Sequence, residues 1–104
     1  MKLFAIVYDL KQPGRNYSEL YDSIKSLAKE DGWQHPLESS WIIVVGDTVT
    51  VDNVATRLRA VMDVTDSLFV VDITDSKYQG WLPKSFWEWM NNRKNDKDIR
   101  NPRL

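Results

Sequence analysis

The chain contains no cysteine, which excludes disulfide scaffolds and thiolate metal centres. Its one histidine, His35, excludes any site that needs two histidines from one chain. Four glycines are present, and none belongs to a glycine-rich phosphate loop. Long hydrophobic runs are also missing. The stretch Leu3-Phe4-Ala5-Ile6-Val7 is five residues long and Asp9 follows it closely, so it is too short for a signal peptide or a membrane span. A cytoplasmic protein with no membrane partner is expected. Nor is there an excess of positive charge: the net charge is -1, and no global field draws nucleic acid to the molecule.

What is present fits a single small domain. The 104 residues are 42% hydrophobic and 28% charged, enough for one thin core to which a second copy would add buried surface. Charge is uneven. The last twelve residues carry Arg93, Lys94, Lys97, Arg100 and Arg103 against Asp96 and Asp98, a net +3 that leaves the body at -4. The domain is expected to occupy residues 1–92, with residues 93–104 as a basic, flexible, solubilising end.

Apolar spacing predicts the elements. Residues 2–9 form a short apolar strand, and Pro13-Gly14 a turn. Tyr17, Leu20, Tyr21, Ile24, Leu27 and Ala28 recur at steps of three and four, one face of a helix capped by Ser18 and ended by Asp31-Gly32. Residues 41–45 and 67–73 are the other clear strands. Between them a second helix starts at Asp52 and turns Val54, Leu58, Val61 and Met62 inward. A fourth strand must come from residues 33–37, which Pro36 interrupts, or from residues 48–51. The simplest closed arrangement is α+β: a ferredoxin-like βαββαβ sandwich with an antiparallel sheet and both helices on one face. Pro83 opens a C-terminal, Trp-rich helix. Trp81, Phe86, Trp87 and Trp89 cannot all face inward from it. Such a cluster stacks bases or, more commonly, forms core or a subunit interface.

Asp9 emerges at the rim of the sheet, where an acid either starts a turn or meets a hard cation. His35 reads as an exposed loop residue, lacking a partner for acid–base work. Ser39 and Ser40 have no triad partners in order.

The strand ending in Tyr8-Asp9, the turn with Pro13, the amphipathic helix, Ser39-Ser40-Trp41 and Asp66-Ser67-Leu68-Phe69-Val70 together resemble the small CRISPR-associated protein two family and its relative, virulence-associated protein D. The resemblance spans residues 1–75 and implies a ferredoxin-like homodimer. It implies that two copies of Asp9 face each other across the interface and hold a divalent metal, magnesium, as the catalytic centre of an endonuclease acting on RNA or DNA. Tyr8, Arg15 and Ser40 are the nucleic-acid contacts expected around it. The alternatives are a non-catalytic structural or adaptor dimer, as in other members of that family, and a binder of a small phosphorylated ligand.

Overall fold

A computed structural model describes residues 1–12 and 17–94. The elements follow in the order β1 (Lys2–Asp9), α1 (Ser18–Leu27), β2 (Trp33–Leu37), β3 (Ser40–Val45), α2 (Val51–Arg59), β4 (Ser67–Asp72) and α3 (Lys84–Lys94). The protein is α+β, with one four-stranded antiparallel sheet in the order β2-β3-β1-β4.

β1 is apolar at nearly every position because both of its faces are needed. Successive side chains of a strand point to opposite faces. Phe4, Ile6 and Tyr8 join Trp41, Ile43 and Val45 of β3 in one core, which Leu20 and Ile24 of α1 and Val54 and Leu58 of α2 close. Leu3 and Val44 point the other way and meet Phe86 and Met90 of α3. The second face is covered only in part. Val7, on the Leu3 side of β1, is 41% exposed, and its cross-strand partner Phe69 is 64% exposed.

Several expected boundaries move. Residues 33–37 supply the fourth strand, and a register shift between Gln34 and Leu37 accommodates Pro36. Residues 48–51 supply a cap instead. The Thr50 hydroxyl accepts from Asn53 N–H, and the Asn53 side chain accepts from Thr50 N–H. Thr50, not Asp52, therefore satisfies the first free donors of α2, and Asp52 lies in the first turn, where a negative charge suits the helix dipole. Ser18 is the first helical residue and not the cap; Tyr17 holds that position without a side-chain cap bond.

α1 ends at Leu27, before Asp31-Gly32, because the sheet captures the chain early: Lys29 donates to the Val44 carbonyl. Asp31 then takes a left-handed φ of 55°. At Gly32 a Cβ would lie 2.8 Å from the Lys29 carbonyl oxygen and 3.1 Å from Val44 Cβ, so the turn needs glycine there. α3 continues through residues 93 and 94, past the expected domain end at 92, with the Arg93 guanidinium 5.3 Å from the Trp89 ring centroid. The rest of the basic tail lies outside the described residues.

Candidate functional site

Asp9 closes β1 opposite Ser67 and is exposed. Its parity is that of Leu3, Ala5 and Val7, so it belongs to the incompletely covered face of the sheet, together with Phe69 and Ser40. Ser40 opens β3 directly opposite Val7 and is half-buried. The Asp9 carboxylate is paired with Lys11 Nζ, and that carboxylate holds the Lys11 ammonium above its usual range.

Tyr8 has the opposite parity and is buried, 5% exposed. Its hydroxyl accepts from Trp41 Nε1 at 2.9 Å and donates to the Glu38 carbonyl at 3.1 Å. Burial, opposed by the Trp41 N–H, pushes its pKa up to about 12. Tyr8 is neutral at physiological pH, packs in the core, and ties β1 to the turn between β2 and β3. Arg15 lies outside the described residues.

Register brings two residues to Asp9 that separation in sequence conceals. Tyr8 N–H bonds to the Ser39 carbonyl, which lays the β2–β3 turn across the end of β1. Asp9, Glu38 and Ser39, with Tyr8, Leu10 and Tyr21, line a cleft of about 460 Å³. Its polar lining is oxygen-based: two carboxylates and hydroxyls. Such donors suit hard cations. Among the described residues no group of three or more His, Asp or Glu converges on one point. Two chain carboxylates would leave several positions on a six-coordinate cation to water or to a substrate phosphate.

His35 is exposed, but it lies in β2 and not in a loop. Its ring stacks on Trp41 with centroids 4.0 Å apart and planes at 13°, and its Nε2 lies 3.0 Å from the Glu38 carbonyl oxygen. Tyr21 and Trp33 complete the aromatic group around Trp41.

Asp66 is named in the sequence only as the start of the last strand pattern, and its hydrogen-bonding role has no signal there. It is buried, and its carboxylate accepts from Lys11 N–H at 2.8 Å, Asp63 N–H at 2.8 Å and the Tyr17 hydroxyl at 3.0 Å. Burial works to raise its pKa, but these hydrogen bonds outweigh it and the carboxyl sits below its ordinary range. Gln12 Nε2 adds a bond to Thr65 Oγ1. Both flanks of residues 13–16 are thus fastened to the segment before β4.

No protein-family model matches the chain, and no curated protein matches it. Among solved structures it is similar to the crystal structure of a hypothetical protein from Thermus thermophilus, with 19% identity and a TM-score of 0.55 over 79% of this chain and 94% of that one. At that identity the likeness concerns the fold alone. No helix among the described residues is long and apolar enough to cross a membrane.

Proposed function

We propose that the chain is a ferredoxin-like module, extended by a Trp-rich C-terminal helix, that works as a homodimer on nucleic acid with a divalent cation, magnesium, held at Asp9. The strand order β2-β3-β1-β4, with α1 and α2 on one face, supports the fold reading. The observation that carries the functional reading is the position of Asp9 on the same uncovered face as Val7 and Phe69. A second copy closing that face would bring in a second Asp9, and two close carboxylates repel until a cation joins them.

A bound divalent cation supplies Lewis acidity toward a phosphodiester. The chain's own residues do the rest. Asp9 would provide anionic oxygen to such a cation, and Lys11, which pairs with Asp9, would offer an ammonium to a phosphate beside it. Ser40 offers a hydroxyl on the same face. Tyr8 keeps the β2–β3 turn in place, so that Glu38 and Ser39 stay beside Asp9.

Asp9→Asn tests the reading. It preserves shape and removes one negative charge per chain, so magnesium-dependent cleavage of RNA or DNA is lost while the fold persists. Full activity in the variant would exclude the metal role of Asp9. A second reading, the non-catalytic adaptor dimer, is favoured by the engaged hydroxyl and raised pKa of Tyr8, which take Tyr8 out of consideration as a base. Absence of cleavage by the wild-type chain, with retained nucleic-acid binding, selects it.

A further inference from the structure

Among the described residues β2 and β4 are the two edges of the sheet, and they are protected differently. β2 is short, contains Pro36 and shifts register; prolines and bulges ordinarily blunt an edge. β4 reads Ser67-Leu68-Phe69-Val70-Val71-Asp72, with no proline, no lysine and no shift against β1.

The direction of its backbone groups follows from one bond. Ile73 donates its N–H to the Leu3 carbonyl, in the register that also pairs Val71 with Ala5 and Phe69 with Val7. Hydrogen-bonded pairs alternate along an antiparallel ladder. Val71, Phe69 and Ser67 therefore turn their N–H and C=O groups toward β1, and Leu68, Val70 and Asp72 turn theirs outward.

We propose that this outward row pairs with the same row of a second copy, antiparallel about a twofold axis through Val70. With Val70 opposite Val70, Leu68 faces Asp72 of the second copy and Asp72 faces Leu68. Every outward donor and acceptor then has a partner. A slip of one residue would oppose inward-turned groups, and a slip of two would leave the row's ends unpaired. The side chains agree with this register. On the uncovered face Phe69 meets Val71, apolar against apolar. On the helix face, Asp72 of the second copy comes beside Leu68, which lines a cleft of about 600 Å³ with Arg59 and the buried Asp66. The Arg59 charge, held by the Asp63 and Val64 carbonyls at the Leu68 cleft, and the twofold register of the row point to a second copy of this chain as the partner.

The pairing deepens the homodimer reading and rests on it for the choice of partner, but it uses the edge of the sheet and not its uncovered face. The two surfaces are therefore separable, and together they build a tetramer of two stacked eight-stranded sheets. The test is light scattering of Val70→Pro beside Val7→Lys. The Val70 N–H points away from β1, so proline there removes only the outward donor. Val70→Pro is expected to halve the mass of the wild-type assembly while remaining folded. A folded Val70→Pro protein with unchanged mass overturns the edge pairing, whatever Val7→Lys does. An unchanged mass in Val7→Lys alone overturns the face-packed dimer and leaves the edge pairing standing. Amide exchange of the wild-type chain decides the matter even where proline prevents folding. Protection of Leu68, Val70 and Asp72 amides that rises with protein concentration is expected; rapid exchange at every concentration overturns the pairing.

Discussion

One carboxylate, that of Asp66, accepts hydrogen bonds from the start of the β1–α1 connection, from its end, and from the turn before β4. Its lowered pKa makes this a pH-dependent link. A carboxyl whose folded pKa lies below its unfolded value binds fewer protons in the native state. Its contribution is present above the unfolded pKa of about 3.9 and is lost as pH falls through the lower folded value. Asp66→Asn keeps the shape but turns an amide N–H₂ toward backbone donors. The variant is expected to lose about 2 kcal/mol at pH 7, in the range of hydrogen bonds to charged groups. The difference from wild type should shrink below about pH 4, where the carboxyl of the unfolded chain takes up its proton while the native one still resists it, and should vanish only below the lower folded pKa. Denaturant titrations at pH 7 and pH 3 check both statements; an equal loss at both would assign the effect to packing.

The elements differ in how much else holds them. α1 and α2 share a core with the central strands, whereas α3 rests on a small separate cluster of Leu3 and Val44 with its own Phe86 and Met90. Phe86→Ala should cost about 3–5 kcal/mol of docking, as large core truncations do. That loss is expected to release α3 before the sheet unfolds. Tryptophan emission from Trp87 and Trp89 should then shift at lower denaturant than the far-ultraviolet signal; coincident transitions would make α3 part of the main cooperative unit. Most elements were legible in the sequence, because helix and strand periods leave plain traces, as at residues 20–28 and 41–45. β2 was ambiguous because Pro36 argues against pairing, and only the register shift reconciles the two. The cap of α2 was misassigned because Thr50 and Asp52 are both good caps two residues apart. Asp9 was legible as a rim acid. Glu38 and Ser39 were not, since β1–β3 register, which brings them to Asp9, has no signature in either segment alone.

At the scale of the molecule, among the described residues, α3 covers part of one apolar sheet face and β4 has no strand partner on its outer side; these are the two surfaces that the proposed assembly uses. Exposed Leu37, Val7 and Phe69 share one cross-strand row, with Ser40 between the first two, and exposed apolar patches of this kind mark interaction sites. Light scattering at micromolar concentration should give a multiple of the 12.2 kDa chain mass. A monomer would remove both interfaces and, with them, the paired Asp9 site. Val7→Lys places an ammonium on the uncovered face next to Phe69. It should weaken assembly through that face while leaving the melting temperature of the dissociated chain nearly unchanged, since Val7 is already 41% exposed there.

The strand order carries a cost in time. β1 precedes both of its sheet neighbours in the chain, yet it sits between β3 and β4, whose partners for Ala5 are Ile42 and Val71. At roughly 5–20 residues per second, the apolar β1 waits several seconds after its own synthesis for its second neighbour. During that interval it must be shielded by α1 or by other factors, and its closure over so long a loop sets folding toward the slow end for a chain of this size.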